Sequence, residues 1–185
     1  LDRDGVINHD SDHFIKSPDE WRPIPGSLEA IARLNHAGFR VVVATNQSGI
    51  GRGLFDMGTL NAIHDKMHRA LALAGGRVDA VFYCPHTGDS QCECRKPKTG
   101  MLREIGVRYG VDMTGVPCVG DSLRDLMAAA AVAARTAAGS ADAGEAAGDC
   151  SARNCGDQNA PPVAAAPVLS SARRESGIDC ILSPP

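Results

Sequence analysis

Phe39-Arg40-Val41-Val42-Val43-Ala44-Thr45 is a nearly continuous apolar run that opens directly into a polar, glycine-rich segment, Asn46 to Gly53. A strand with one wet face alternates apolar and polar side chains, whereas a strand covered on both faces reads as a continuous apolar run. The stretch therefore reads as a parallel strand buried between two layers. Its flanks agree. Ser27 is placed to cap a helix in which Leu28, Ile31 and Leu34 form an apolar stripe and which Gly38 stops. On the other side, Leu60, Ile63, Met67 and Leu71 mark a second amphipathic helix ending near Gly75-Gly76. Ala80 to Tyr83 is a short buried strand, and Met101 to Tyr109 a helix with Leu102 and Ile105 inward. Val116 to Val119 is a further strand that runs into Gly120-Asp121. This alternation predicts an α/β fold, a doubly wound and mostly parallel sheet. Sites in such sheets lie at the carboxyl ends of the strands. Asp2, Asp4, Thr45, Cys84 and Asp121 all fall just past a strand end, so one crevice should collect them.

At 185 residues with a formal net charge of −3, the chain is long enough for one cored domain and a tail. The charge gives no reason to expect nucleic acid or an acidic membrane as partner. No apolar run reaches the roughly 18 residues that a membrane span needs, and no signal peptide is visible. Leu1 already lies within a motif, so residues are expected to precede it. Three of the seven cysteines cluster between positions 84 and 94, which suits metal binding in a reducing compartment, the cytoplasm, better than a disulfide framework. The pattern changes after about Ala131. Residues 1–131 carry all the periodic segments; residues 132–185 are an atypical tail rich in Ala, Gly, Pro, Ser and Asp, with Val168-Leu169 and Ile178 to Leu182 as poor strand candidates. Such a segment buries too little apolar surface to offset ordering entropy, and disorder is the expectation. A disrupted reading frame in GC-rich DNA is the alternative.

Four short motifs carry chemistry. In Asp2-Arg3-Asp4-Gly5, side chains two apart on an extended backbone point the same way, and Gly5 lets the chain leave the strand. Two such carboxylates can hold Mg²⁺ and divide the work of nucleophile and proton donor; a surface turn or a calcium loop explains the tetrapeptide as well. Thr45-Asn46-Gln47-Ser48-Gly49 places a hydroxyl, amides and glycine-permitted backbone N–H groups at a strand end, a cradle for phosphate or an ordinary polar loop. Arg95-Lys96-Pro97 offers cations that could neutralise a transferring phosphoryl group, although a bare basic pair is more often a solvated face. Gly120-Asp121-Ser122, with Asp125 one turn on, supplies a further carboxylate that could complete a Mg²⁺ shell with Asp2 and the backbone carbonyl of Asp4, or cap a helix.

In this order and on these strand ends, Asp-x-Asp-Gly, Thr-Asn, Lys-Pro and Gly-Asp resemble the haloacid dehalogenase-like superfamily of phosphotransferases. The resemblance spans residues 1 to about 127. It implies Asp2 as nucleophile, forming an aspartyl-phosphate, and Asp4 as the acid that protonates the leaving oxygen and the base that then activates water. It implies Thr45 and Lys96 as phosphoryl-binding groups, and Mg²⁺ held by Asp2, Asp4 and Asp121.

Cys84-Pro85-His86 followed by Cys92-Glu93-Cys94 adds three soft thiolates and an imidazole within eleven residues, the donor set of a closed, structural Zn²⁺ site. A disulfide or buried thiols are the other readings. The loop leads into Arg95-Lys96, so the metal would position the phosphate-binding cations. Together with Ser48-Gly49-Ile50-Gly51-Arg52-Gly53, this loop looks like the heptose bisphosphate phosphatase branch. Its members remove the 7-phosphate of D-glycero-D-manno-heptose 1,7-bisphosphate in nucleotide-activated heptose and lipopolysaccharide core synthesis. The related histidinol-phosphate phosphatases share the catalytic and zinc motifs and differ after Thr-Asn-Gln. The likeness implies substrate contacts from Asn46, Gln47, Ser48, Arg52, Arg95 and Ser122, and a small monomer without a large cap domain. His9 to Ile15 stands where the family contacts substrate, with His9 and His13 read as surface groups. The family continues with another strand and helix after the Asp121 helix, and this chain does not visibly do so. The remaining alternative is a catalytically silent, zinc-stabilised domain.

Overall fold

The computed structural model describes residues 1–137. In chain order the elements are a 3-10 turn at Pro18–Glu20, α1 at Ser27–His36, β1 at Val42–Asn46, α2 at Ser48–Gly51, α3 at Met57–Leu73, β2 at Ala80–Cys84, α4 at Gly100–Tyr109 and α5 at Leu123–Ala137. The expectations for the tail from 138 onward lie outside the described residues, and the compositional boundary at 131 falls inside α5.

Strands β1 and β2 are parallel, with Val43 opposite Val81 and Thr45 opposite Tyr83. The N-terminal residues extend this pairing on the other side of β1. Leu1 N donates to Val42 O at 2.8 Å, and Ala44 N donates to Leu1 O at 2.9 Å. Beyond them, Asp2 N donates to Val119 O at 2.8 Å, so the Val116–Val119 segment lies alongside. The sequence predicts a strand at that segment; it makes this main-chain contact without forming a regular strand. Its outer side has no neighbouring strand among the described residues, and Val119 remains half exposed.

The period-two logic of β1 is visible in its neighbours. Val43 sits in one cluster with Ile7, Trp21, Ile31, Ile63, Met67 and Leu71. Ala44, one residue on, sits in a second cluster with Met101, Leu102, Ile105, Ala128 and Val132. Successive side chains thus serve opposite layers, which is why the run has no polar alternation. Helices α1 and α3 pack together on the first face, α4 and α5 on the second. Ile63 and Met67 are completely buried, and truncating either to alanine would cost about 2–5 kcal/mol.

Helix α3 starts where Asp56 accepts a hydrogen bond from Thr59 N at 2.7 Å, an N-cap that the apolar spacing alone did not reveal. All four apolar positions expected along α3 are buried. In α1 two details differ from expectation. Ser27 is the first helical residue and not the cap; its hydroxyl donates to Ile7 O at 2.7 Å, tying the helix start to the N-terminal loop. Leu34 is more than a third exposed, because Ile31 and Ala32 take the inward face. Strand β2, expected to be buried, is half-buried over most of its length because it stands at the sheet's edge.

Candidate active site

The site forms where Leu1–Asp2, β1 and the Val119–Gly120 segment end side by side. Lys96 is its centre. The side chain is 4% exposed, and its Nζ lies 2.9 Å from Asp2 Oδ2, 2.5 Å from Asp125 Oδ1 and 2.7 Å from Ala44 O. Its backbone is clamped as well. Asn46 Oδ1 accepts from Lys96 N, and Asn46 Nδ2 donates to Lys96 O, both at 3.1 Å. One asparagine at the end of β1 therefore fixes the loop that carries the cation, and the Lys96–Pro97 bond within that loop is cis.

Carboxylate oxygens of Asp2, Asp121 and Asp125 lie within 4.8 Å of one another. Burial raises the Asp2 carboxyl above the ordinary carboxylate range; Lys96 opposes the rise and Asp125 adds to it. Burial likewise raises Asp121, helped by the negative charges of Asp10 and Asp125. Acidic groups crowded in this way are relieved by a divalent cation, and all-oxygen donors suit Mg²⁺. Gly5 makes the crowding possible. It has φ +74°, and a Cβ there would lie 2.1 Å from Asp121 Oδ2. The sequence marks Asp125 only as a neighbour of Asp121, one helical turn on. In the structure both its oxygens are engaged, Oδ1 by Lys96 and Oδ2 by Ser122 N at 3.1 Å. It orients the lysine and closes the turn into α5. Its spacing of four from Asp121 was the available signal.

Asp4 behaves differently from the expected parallel pair. Its carboxylate is outside the Asp2–Asp121–Asp125 cluster. Oδ1 accepts from Arg3 Nε at 3.0 Å and Asn8 Nδ2 at 2.8 Å; Oδ2 accepts from Arg3 Nη2 at 3.0 Å and Gln47 Nε2 at 2.8 Å. The reason is that the chain turns immediately after Asp2, with Ile7 N and Asn8 N both bonded to Arg3 O, so period two no longer holds. Gln47 Nε2 also donates to Thr45 Oγ1 at 3.0 Å, which places Asp4 one amide away from the buried Thr45 hydroxyl.

The remaining predicted residues divide between the crevice and its rim. Ser48 is buried at the start of α2. The Arg52 guanidinium stacks over the Phe14 ring at 6.0 Å, joining the Asn46–Gly53 loop to the His9–Ile15 loop. Phe14 has φ +63°, the left-handed region that a side chain rarely adopts. His9 and His13 are exposed. Arg95 Nη1 donates to His86 O at 3.2 Å, towards the cysteine loop, and Ser122 Oγ accepts from Arg124 Nε.

Cys84, His86, Cys92 and Cys94 converge. Cys84 Sγ is 3.2 Å from Cys94 Sγ, 3.7 Å from Cys92 Sγ and 3.5 Å from His86 Nδ1; His86 Nδ1 is 3.3 Å from Cys94 Sγ. A tetrahedral zinc with Zn–S bonds of about 2.3 Å sets its ligands roughly 3.5–3.8 Å apart, so the donors stand close to that spacing. They are far beyond the length of about 2.05 Å that an S–S bond requires.

Residues 1–129 match the family described as polynucleotide kinase 3 phosphatase. The D-glycero-beta-D-manno-heptose-1,7-bisphosphate 7-phosphatase of Bordetella bronchiseptica is 70% identical over 130 residues, 70% of this chain and 73% of that protein. The protein of the same name from Pseudomonas aeruginosa is 60% identical over 132 residues, 71% of this chain and 74% of that one. Among solved structures, D,D-heptose 1,7-bisphosphate phosphatase from B. bronchiseptica, complexed with magnesium and phosphate, superposes with a TM-score of 0.71 at 62% identity, covering 75% of this chain and 83% of that one. The D,D-heptose 1,7-bisphosphate phosphatase of Burkholderia thailandensis gives a TM-score of 0.55 at 60% identity, covering 72% and 71%.

Proposed function

This chain belongs to the polynucleotide kinase 3 phosphatase family, within the haloacid dehalogenase-like phosphatases, and we propose that it hydrolyses the 7-phosphate of D-glycero-β-D-manno-heptose 1,7-bisphosphate. The observation that carries this reading is the seat of Lys96 between Asp2 and Asp125, at the point where the carboxyl group of Asp121 also arrives. A carboxylate is a poor nucleophile toward a phosphate anion unless cations screen the repulsion, and this one is already paired with a buried ammonium. The sugar and the β anomer come from the two relatives named for that substrate at 70% and 60% identity.

Asp2 attacks phosphorus, forming a new P–O bond as the bond to the C7 oxygen breaks. Asp4 gives its proton to the departing alkoxide. Water, deprotonated by Asp4, then attacks the aspartyl-phosphate and releases inorganic phosphate and free Asp2. Thr45 and Lys96 bind the phosphoryl oxygens, and Asn46, Gln47, Ser48 and Ser122 complete the substrate contacts in this reading. Arg52, steadied by Phe14, is the group assigned to the second phosphate and the sugar hydroxyls, and Arg95, tied through Nη1 to His86 O, is assigned to the same end of the substrate. Asp2, Asp121 and the backbone carbonyl of Asp4 would hold Mg²⁺, which supplies charge neutralisation for the phosphoryl group.

Cys84, His86, Cys92 and Cys94 would hold a structural Zn²⁺, which would fix the loop leading into Arg95 and Lys96. With four protein donors, such an ion would have no open position for catalysis. Thiolate zinc ligation fits a reducing cytoplasm, and the product would feed nucleotide-activated heptose for lipopolysaccharide. No helix among the described residues is long and apolar enough to cross a membrane. With a net charge of −3, a small sugar phosphate suits the protein better than a nucleic-acid end.

Phosphate release with Mg²⁺ from the heptose bisphosphate and from histidinol phosphate, side by side, tests the reading. It predicts a kcat/KM at least a hundredfold higher for the sugar. Preference for histidinol phosphate would reassign the substrate, and no release from either would leave a silent domain.

A further inference from the structure

Helix α3 carries one buried side chain that the reaction above does not use. His64 is 8% exposed among the apolar residues of its face. Its Nε2 lies 3.2 Å from Arg3 Nη1. Guanidinium nitrogens only donate, so Nε2 is the bare acceptor and the imidazole proton sits on Nδ1. Burial, and then the charge of Arg3, lower the His64 pKa to about 3, which keeps the ring neutral at any working pH.

Arg3 is completely buried, and each side of its guanidinium is taken. Nε and Nη2 grip the two oxygens of Asp4, Nη2 also donates to Gln47 Oε1 at 3.1 Å, and Nη1 is met by His64. Gln47 in turn reaches Asp4 and Thr45. The Asp4 carboxylate is therefore held by the Asn8 and Gln47 amides and by a planar, charged fork whose far end is fixed by one imidazole. Without that acceptor, Nη1 is a buried, unpaired donor. The fork would then turn to recover a partner, and Asp4 would lose its bidentate, charged contact and keep only the Asn8 and Gln47 amides.

We propose that His64 is a positioning residue for proton transfer: through Arg3 it holds Asp4 in line with the leaving oxygen. The inference rests on the reading of Asp4 as acid and base. It separates His64 from Lys96 and Asn46, whose contacts do not pass through Arg3, while Thr45 meets the fork only at one remove, through Gln47.

The test compares leaving groups. An alkoxide needs a proton as it departs, whereas 4-nitrophenolate does not. His64→Leu should lower kcat for the sugar bisphosphate at least tenfold, with KM within twofold. The rate of the first phosphoryl transfer from 4-nitrophenyl phosphate, read as a burst of nitrophenolate, should stay within threefold of wild type. His64→Gln, which offers a carbonyl oxygen to Arg3, should recover most of the lost kcat. An unchanged kcat in His64→Leu, an equal loss on both substrates, or a loss confined to KM overturns the proposal. If His64→Leu does not fold, Arg3→Lys keeps the charge and loses the fork, and the same split is expected of it; equal losses there overturn the proposal too. Asp4→Asn distinguishes the two levels. If that variant loses alkyl and aryl transfer equally, the role given to Asp4 fails. If it shows the split and His64→Leu does not, only the role of His64 fails.

Discussion

Gly5 and Asp121 approach so closely that a Cβ on the glycine would lie 2.1 Å from Asp121 Oδ2. The glycine is thus fixed twice, by its φ of +74° and by the carboxylate that fills the place of its side chain. An alanine at this backbone conformation costs about 1–2 kcal/mol, and here it must also displace Asp121. Gly5→Ala should weaken Mg²⁺ binding at least tenfold and lower kcat in parallel, with zinc content unchanged. Calorimetric Mg²⁺ titration of the variant checks this; wild-type affinity would contradict it.

Asn46 bonds both the N–H and the C=O of Lys96. Asn46→Ala removes both contacts, each contributing about 0.5–1.5 kcal/mol. Because the loop then holds its lysine less firmly, KM should rise several-fold to tenfold while the protein remains folded. Steady-state kinetics and circular dichroism measured together decide it. An unaltered KM would show that Lys96 is placed by Asp2, Asp125 and Ala44 O without help from Asn46.

The cysteine cluster and the phosphate site share a strand of chain, since Cys94 precedes Arg95 and Lys96 directly and Arg95 reaches back to His86 O. Cys92→Ser should lower zinc content, thermal midpoint and phosphate affinity together. Chelator treatment of wild type should reproduce all three. Atomic absorption, thermal melts and inhibition by inorganic phosphate provide the measurements. Full zinc content in the variant, or lost zinc with unchanged affinity, would contradict the link.

The buried His64 also gives a signature in stability. Its pKa falls from 6.5 to about 3 on folding, so below pH 6.5 the unfolded chain takes up a proton that the folded protein refuses. Stability contributed by the neutral ring is intact above pH 6.5 and lost as pH falls toward the folded value. The slope is at most about 1.4 kcal/mol per pH unit. Urea unfolding between pH 7 and 4.5 should show wild type losing stability more steeply than His64→Gln. Parallel curves would mean that the ring is already solvated in the native state.

The layers were legible from residue pattern because burial on both faces of β1 leaves a direct mark, and α3 was legible because four apolar residues recur at helical spacing. At Val116–Val119, local apolar content does not reveal that, among the described residues, this segment meets the sheet through a single main-chain bond from Asp2 and forms no regular strand. The direction of the Asp4 side chain was hidden for a similar reason. Alternation predicts it only while the backbone stays extended, and the turn at Arg3 ends that. Arg3 and His64 left no local signal, because their pairing depends on how α3 docks against the N-terminal loop. The donor cluster at Cys84 to Cys94 was readable because its members lie close in sequence.

The most direct test of the account is to trap the covalent intermediate. Protein turning over the heptose bisphosphate with Mg²⁺ is quenched in acid, and the acyl phosphate is reduced with borohydride. Peptide mass spectrometry then locates the modified aspartate. The account predicts reduction of Asp2 alone, dependent on substrate and absent in Asp2→Asn, which should also be inactive. Modification at any other carboxylate, or turnover retained by Asp2→Asn, would contradict it.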